Sequence, residues 1–171
     1  FLPALGWLYT APLRPYVQDW EGQFNTLHVT GETGAGKSSS LSILWRLLGM
    51  NGEPMACDDT KFALTTAMAS TNSIPMWFDE YKPGDMKDWE VDRFQNLMRS
   101  TTRGGVATRG NADKSTEEYE LKAPLMISGE QAIQGPAEER RSIQTRFRDG
   151  VKEDGSPTKA AFATLTGMAY D

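Results

Sequence analysis

The sequence predicts an α/β fold, a three-layer α/β/α sandwich with a mainly parallel central sheet and an inserted β-hairpin. Three stretches, at 24–30, 74–80 and 124–128, have the length of strands, and each leads into glycines or acidic residues. The segments between them carry apolar residues at helical spacing. Strands that alternate with helical segments are typical of a parallel sheet with helices packed against it.

The composition describes one globular domain of ordinary size. With 171 residues, 39% hydrophobic and 24% charged, the chain is long enough for a single substantial core. No apolar run approaches the roughly 20 residues that a membrane span needs. Cys57 is the single cysteine, which excludes an internal disulfide and favours the reducing cytoplasm. The net charge of −5 implies that any contact with nucleic acid is confined to a local basic surface.

Residues 31–38 match the phosphate-binding pattern GxxxxGK followed by Ser or Thr at every fixed position. Glycines allow the backbone to wrap closely around a polyphosphate and to point several N–H groups at its oxygens. In this pattern the Lys37 ammonium lies beside the β- and γ-phosphates of ATP, and the Ser38 hydroxyl is a ligand of Mg²⁺. The predicted nucleotide-binding residues are Gly31, Glu32, Thr33, Gly34, Ala35, Gly36, Lys37, Ser38 and Ser39.

The flanking sequence supplies the context that this pattern requires. The stretch 24–30 before the loop is a predicted strand. After Lys37, apolar residues recur at the spacing of a helix face and Gly49 is a suitable terminator; the apolar positions are Leu41, Leu44, Trp45 and Leu48. Strand, loop and helix therefore follow in the expected order, and an ordinary glycine-rich turn is the competing interpretation.

Two adjacent acids, Asp79 and Glu80, end the apolar stretch 74–80. In an open α/β sheet the ligand lies at the carboxyl ends of the strands, where these side chains are expected to emerge. Asp79 is suited to hold the Mg²⁺ bound through Ser38, and Glu80 to polarise the attacking water as general base. A solvated turn is the alternative interpretation.

The stretch 124–128 is a third predicted strand, and it leads into Ser128, Gly129 and Glu130. If this strand lies beside the one that ends in Asp79, Ser128 or Glu130 can sense the γ-phosphate or hold the lytic water. A plain turn at the strand end is the alternative.

A helix from Asp88, with an apolar stripe that includes Phe94 and Met98, is predicted to end at Gly104-Gly105. Segments 106–109 and 119–122 are then the arms of a long hairpin. Four cations against one acid between residues 99 and 114 make this region locally basic, and Arg103, Arg109 and Lys114 are candidate contacts for a phosphate backbone. The alternative is a solvated edge hairpin, which Glu117, Glu118 and Glu120 on the return arm favour.

We divide the chain into an N-terminal arm (1–22), an ATPase core (23–150) and a C-terminal helix (151–171). Prolines limit the arm to short helices, and its aromatic residues are expected to pack on the core, although one of them could stack on adenine; they are Trp7, Tyr9, Tyr16 and Trp20. Within the core, Thr60 is expected to cap a helix, Pro136 to open a short turn, and 143–147 to form a half-buried strand. The chain begins at Phe1, with neither an initiator Met nor a signal-peptide pattern, and we expect a piece of a longer protein.

Five segments occur in an order that resembles P-loop ATPases of the AAA+ type, which belong to the additional-strand group. They are GETGAGKS, IPMWFDE, the basic hairpin, PLMISGE and EERRSIQTRFR. The most similar subgroup comprises the helicase modules of phage and plasmid primase–helicase proteins, related to superfamily 3 helicases. The resemblance covers roughly residues 5 to 149.

The resemblance implies an oligomeric ring, a hairpin at 105–122 that contacts single-stranded DNA in the pore, and an arginine finger that reaches the neighbouring subunit. Arg141 is the first candidate for the finger and Arg140 the second. The chain departs from the family in two respects. Ser128-Gly129-Glu130 stands where the family has a sensor Asn, and a helical lid of the usual length is missing from this sequence.

These features favour an Mg²⁺-dependent ATPase that acts as a DNA helicase or translocase. A nucleotide or small-molecule kinase is the first alternative, because it uses the same phosphate loop; it needs an acceptor pocket and an Arg-bearing lid, for which Arg103 and Arg109 could be mistaken. A remodelling or switch ATPase that does not act on DNA is the second alternative.

Overall fold

A computed structural model describes residues 2–110, 113–133, 135–147 and 157–170. The helices are α1 (Leu2–Thr10), α2 (Arg14–Glu21), α3 (Lys37–Leu47), α4 (Lys61–Ala69), α5 (Asp88–Thr102), α6 (Pro136–Glu139) and α7 (Pro157–Tyr170), with a 3₁₀ turn at Ala11–Leu13. The strands are β1 (Thr26–Thr30), β2 (Met55–Ala56), β3 (Met76–Tyr81), β4 (Val106–Gly110), β5 (Thr116–Glu120), β6 (Leu125–Gly129) and β7 (Ser142–Arg146). Each helix in the described ranges is too short or too polar to cross a membrane.

The central sheet has five strands in the order β2-β3-β6-β1-β7, and neighbouring strands pair in parallel. Leu27 of β1 lies opposite Met126 of β6 and Ile143 of β7. Because the strands are parallel, the carboxyl ends of β1, β3 and β6 meet at one edge of the sheet. The predicted fold class is confirmed. The two-residue outer strand β2 was not predicted, since Met55–Ala56 is too short to show a strand pattern.

Helices cover both faces of this sheet. On one face, side chains of β1, β3 and β6 pack against α1 and α3; on the other, β3 and β6 pack against α4 and α5. Consecutive strand residues point to opposite faces, so Trp77 and Phe78 belong to different halves of the core. The first half includes Trp7, Leu8, Leu27, Val29, Leu41, Leu44, Trp45, Trp77 and Met126, and the second Leu64, Met68, Phe78, Phe94, Leu97, Met98, Leu125 and Ile127.

The N-terminal arm, which comprises α1, the 3₁₀ turn and α2, is joined to the core at two points. The Trp7 indole N–H donates to the Asn25 carbonyl at 2.7 Å, and the buried Arg14 guanidinium donates to the Thr101 carbonyl at 2.7 Å. Burial without an acidic partner lowers the pKa of Arg14 to about 10. The prediction that four aromatic residues pack on the core is correct for Trp7 and wrong for the other three, which are exposed; these are Tyr9, Tyr16 and Trp20.

Local signals define most of the remaining boundaries. The Thr60 hydroxyl accepts from the Ala63 N–H at 3.2 Å and caps α4 as predicted. Helix α5 begins at Asp88, but its N-cap is Lys87, whose backbone N–H donates to Glu90 Oε2 at 2.9 Å.

Hairpin β4–β5 is antiparallel and links the end of α5 to β6. It therefore leaves the sheet at the edge opposite the carboxyl ends of the strands. Helix α7 contacts α3.

Candidate nucleotide and metal site

The glycine-rich loop starts directly after β1 and ends at α3. Gly34 and Gly36 have φ values of 78° and 81°, which only glycine adopts readily, and Gly36 is the N-cap of α3. Gly31 is tightly packed, since a Cβ atom there would lie 2.8 Å from the Phe147 carbonyl oxygen. The backbone around 34–36 thus has the conformation that lets N–H groups point toward an anion at a helix N-terminus.

Lys37, the first residue of α3, folds its side chain back over the loop. Its Nζ atom donates to the carbonyl oxygens of Gly31 at 2.7 Å and Glu32 at 2.9 Å, and the residue is 9% exposed. The ammonium therefore lies inside the loop, where a polyphosphate oxygen can take over one of its acceptors without a large movement of the lysine.

Asp79 joins the loop to the rest of the sheet through hydrogen bonds. The Ser38 hydroxyl donates to its Oδ2 at 2.8 Å, and the Ser128 hydroxyl donates to its Oδ1 at 2.5 Å. The Trp77 indole N–H in turn donates to the Ser128 Oγ at 2.7 Å. Three segments that are far apart in sequence therefore meet at one carboxylate.

The oxygen atoms of Ser38 and Asp79 fit a magnesium ion. Mg²⁺ is a hard cation that binds oxygen and usually keeps water and substrate phosphates as most of its ligands. In the described part of the chain, no group of three or more His, Cys, Asp or Glu residues could hold a metal by itself. The donor set is thus suited to an ion that arrives with a nucleotide, and less suited to a permanently bound metal.

Glu80 follows Asp79 at a break in the strand. Its φ is +60°, and the pairing of β3 with β6 changes register between Phe78 and Tyr81. Its N–H donates to Asp79 Oδ1 at 2.8 Å, and the residue is exposed. A bulge redirects side chains, and left-handed conformations at residues other than glycine are concentrated at functional sites.

Glu130, just after β6, contacts the glycine-rich loop. The Thr33 hydroxyl donates to its Oε1 at 2.6 Å, and Lys82 Nζ lies 3.2 Å from the same oxygen. The hydrogen bonds from Thr33 and then Lys82 hold the pKa of the Glu130 carboxyl below its usual range, and the hydrogen bond to Glu130 raises the pKa of Lys82. Glu130 therefore bridges the loop and the segment after β3.

Two cations at this edge of the sheet were not singled out from the sequence. Lys82 contacts Glu130, and Arg146 at the end of β7 has its Nη2 atom 4.0 Å from Glu32 Oε1. Lys82 lies outside the five segments that carry the family resemblance, and Arg146 lies in one of them, EERRSIQTRFR, in which only Arg140 and Arg141 were assigned a role. Their sequence signal is only that each follows or ends a predicted strand, and the sheet order was needed to bring both to the loop.

Arg140 and Arg141 lie at the opposite edge. The Arg141 carbonyl accepts from the Thr26 N–H at the start of β1, whereas the phosphate loop follows the end of that strand. Five residues of strand separate the two edges by about 16 Å. Arg141 Nη1 donates to the Ala137 carbonyl, while Arg140 is exposed. These arginines are therefore remote from the glycine-rich loop of their own chain.

The hairpin and α4 together form a groove that contains a cation over an aromatic ring. The Arg109 guanidinium carbon lies 4.2 Å from the centre of the Phe62 ring, and Phe62 meets Tyr119 edge to face with centroids 6.3 Å apart. The cavity beside them has a volume of about 340 Å³. Arg103 caps the end of α5 and is exposed, as is Lys114 near the hairpin tip, where φ is +66°. Residues 111 and 112 of the tip lie outside the described residues.

Comparison with solved structures shows a helicase-like α/β fold. JCV helicase matches with a TM-score of 0.50 and 12% identity over 85% of this chain, and inhibitor-bound JCV helicase with 0.53 and 12% over 85%. The apo NrS-1 C-terminal region (305–718) matches with 0.54 and 14% over 95%. This chain spans 43%, 41% and 39% of those structures, less than half of each. No protein-family model and no curated protein matches the sequence.

Proposed function

We propose that the chain is the ATP-hydrolysing motor domain of a DNA helicase or translocase. The observation that carries this proposal is the hydrogen bond from Ser38 to Asp79, because it joins the glycine-rich loop to the acid that ends β3. A phosphate loop alone supports nucleotide binding. A loop whose serine donates to a carboxylate on β3 supports binding of Mg²⁺ with the nucleotide, as ATP hydrolysis requires.

The chemistry follows from the residues around that bond. ATP would lie in the loop with its phosphates on the N–H groups of 34–38 and the Lys37 ammonium beside the β- and γ-phosphates. Bound Mg²⁺, held by Ser38 and Asp79, would neutralise charge that develops on the phosphate oxygens. Glu80 would accept a proton from the attacking water, and its exposed carboxylate and bulged backbone support that assignment.

The position of the arginines supports a site that a second subunit completes. Arg140 and Arg141 are too far from the glycine-rich loop of their own chain to stabilise charge there, so as an arginine finger either of them would have to act on a neighbouring copy in a ring. Arg140 is the better placed, because its side chain is exposed whereas Arg141 bonds to the Ala137 carbonyl. In related chemistry an arginine supplied by a partner increases the rate by about 10³- to 10⁵-fold.

The hairpin supports single-stranded DNA as the polymer on which the motor acts. Arg109 stacked on Phe62, with Tyr119 beside it, places a cation and aromatic rings in one groove. Phosphates and bases of single strands bind to surfaces of this kind. Arg103 and Lys114 would add backbone contacts, while the acidic β5 would limit the basic surface to one side.

The proposal is tested by steady-state ATPase assays of the wild type and of Glu80→Gln. We expect Glu80→Gln to reduce kcat by about 10²- to 10⁴-fold, because a general base contributes that much, while ATP affinity changes little. Glu53→Gln, an exposed acid in the loop before β2, is the matched control and should keep wild-type turnover. Unchanged turnover in Glu80→Gln would show that Glu80 is not the base.

The DNA assignment is tested by the same assay with and without single-stranded DNA at two salt concentrations. Stimulation should decrease as salt rises, because phosphate contacts release counterions. Arg109→Gln should weaken the stimulation, and Arg46→Gln, which changes an exposed cation on α3, should not. Phosphate transfer to a nucleoside or sugar would instead identify a kinase. Turnover that single-stranded DNA leaves unchanged would identify a remodelling or switch ATPase.

A further inference from the structure

We propose that Trp77 is a positioning residue for the magnesium-binding carboxylate, and that it acts on Asp79 through Ser128. This inference rests on the proposed function, because it concerns the same ion. The observation behind it is the chain of three hydrogen bonds from the Trp77 indole to Ser128, from Ser128 to Asp79, and from Ser38 to Asp79.

The direction of the first two bonds is determined by the chemistry of the groups at the ends. An indole N–H can only donate, and an ionised carboxylate can only accept. The Ser128 oxygen therefore accepts from Trp77, and its hydrogen must point to Asp79. A serine hydroxyl normally rotates among several partners, but here Trp77 leaves it a single useful orientation.

Burial prevents water from replacing Trp77 in this role. The Trp77 side chain is 3% exposed and Ser128 is fully buried. Hydrogen bonds in such surroundings are stronger than in water, and a buried donor without a partner destabilises the fold. Trp77 also packs against Trp45 of α3, with ring centroids 5.9 Å apart and an angle of 62°.

The effect on Asp79 is to make its two oxygens unequal. Oδ1 accepts from Ser128 and from the Glu80 N–H, at 2.5 and 2.8 Å. Oδ2 accepts from the Ser38 hydroxyl alone among the described contacts. The carboxylate is therefore fixed by its Oδ1 side, which leaves Oδ2 beside Ser38 as the oxygen for the ion. Groups that orient a metal ligand in this way typically change metal affinity by about 10- to 100-fold.

Trp45 provides a matched control. It is also a buried tryptophan in the same half of the core, but in the described part of the chain its indole N–H has no hydrogen-bond partner. Replacing either tryptophan with phenylalanine removes similar apolar volume and one indole N–H. The two substitutions differ in whether that N–H orients Ser128.

The experiment measures binding of a fluorescently labelled ATP analogue by anisotropy, as Mg²⁺ is titrated and again in EDTA. Trp77→Phe should raise the Mg²⁺ concentration at half-saturation by about 2- to 10-fold, the value of one neutral hydrogen bond. Ser128→Ala should raise it by about 10-fold or more. Affinity in EDTA should stay unchanged in both. The double variant should equal Ser128→Ala, because Trp77 acts only through that hydroxyl.

Three results would overturn the inference. The first is that Trp77→Phe binds Mg²⁺ like Trp45→Phe and the wild type. The second is that it loses affinity equally in EDTA, which would indicate general damage to the loop. The third, if Trp77→Phe does not fold, is unchanged Mg²⁺ affinity in Ser128→Ala. A wild type whose nucleotide binding ignores Mg²⁺ would refute the proposed function itself, and the inference with it, so the two failures are distinguishable.

Discussion

The backbone conformation of Glu80 is left-handed, and the sequence pattern of its strand does not reveal this. Its left-handed φ costs roughly 1–2 kcal/mol for a residue with a Cβ atom. The hydrogen bond from its N–H to Asp79 and the change of register in β3 accompany that conformation. The same peptide that redirects Glu80 toward solvent also helps to fix the carboxylate of Asp79.

His28 is a second residue whose properties come from its surroundings. It lies in the middle of β1, fully buried, with its Nδ1 atom accepting from the Ile133 N–H at 3.3 Å and its ring edge-on to Tyr81. Burial lowers the pKa of His28 to about 4 from its usual 6.5. Between about pH 6.5 and about pH 4 the folded protein therefore keeps a neutral imidazole that an unfolded chain would protonate.

This shift predicts a loss of stability on mild acidification. Between about pH 6.5 and about pH 4 the unfolded chain binds a proton that the folded chain does not. The free energy of unfolding is therefore highest above this window and decreases as the pH falls through it. The free energy of unfolding should drop by about 2 kcal/mol from about pH 7 to about pH 5. His28→Asn, which retains an acceptor for Ile133, should show a flatter profile in urea unfolding. Equal slopes for both proteins would contradict the assignment.

At the scale of elements, only one face of the N-terminal arm packs against the core. Trp7 is 4% exposed and Trp20 is 85% exposed, although both occupy short helices that prolines delimit. Trp7 packs beside Phe24 with ring centroids 5.7 Å apart. The arm therefore helps to cover the face of the sheet against which α3 also packs.

This contrast predicts different outcomes for two substitutions in the same arm. Trp7→Ala should reduce the free energy of unfolding by about 3–5 kcal/mol, since it removes a large buried ring and leaves the Asn25 carbonyl without its donor. Trp20→Ala should stay within about 0.5 kcal/mol of the wild type. Urea unfolding followed by circular dichroism measures both. A large loss for Trp20→Ala would mean that its exposed surface is covered in solution.

At the scale of the whole molecule, the parallel sheet separates two sets of groups. The glycine-rich loop, Asp79, Glu80 and Glu130 lie at the carboxyl ends of the strands, while the hairpin, Arg140 and Arg141 lie at the opposite edge. In the proposed motor, Arg140 of one copy can reach the nucleotide site of another only if copies associate. Catalysis and assembly are then expected to be coupled.

Mixing two inactive variants tests this coupling. Arg140→Ala keeps Glu80, the proposed general base, but loses the proposed arginine finger, and Glu80→Gln does the reverse. Each alone should hydrolyse ATP slowly, and a mixture should regain activity at interfaces where an intact Glu80 faces an intact Arg140. Steady-state ATPase at several protein concentrations is the measurement, with activity per subunit rising as the ring forms. If the mixture is no more active than its components, Arg140 either acts within its own subunit or takes no part in hydrolysis.

Much of the fold could be predicted from local patterns. Strand β1, the glycine-rich loop and α3 belong to one local motif, in which glycines at fixed positions determine the backbone conformation. Strands β3 and β6 could be predicted because each is an apolar run that ends in polar residues. The pairing of Ser38 with Asp79, expected through a shared ion, is present as a direct hydrogen bond. The outer strand β2 and the exposure of the arm's aromatic rings could not be predicted, because they depend on which surfaces other elements cover.

The sequence by itself determined the glycine-rich loop, the acids that follow β3 and the alternation of strands and helices, because each depends on residues that are close along the chain. Only the tertiary structure decided that β6 lies between β1 and β3. That order brings Ser128 to Asp79 and Glu130 to Thr33. The parallel pairing of β7 with β1 places Arg140 and Arg141, which precede β7, at the far edge. Contacts between distant segments depend on strand order and register, which local residue patterns do not specify.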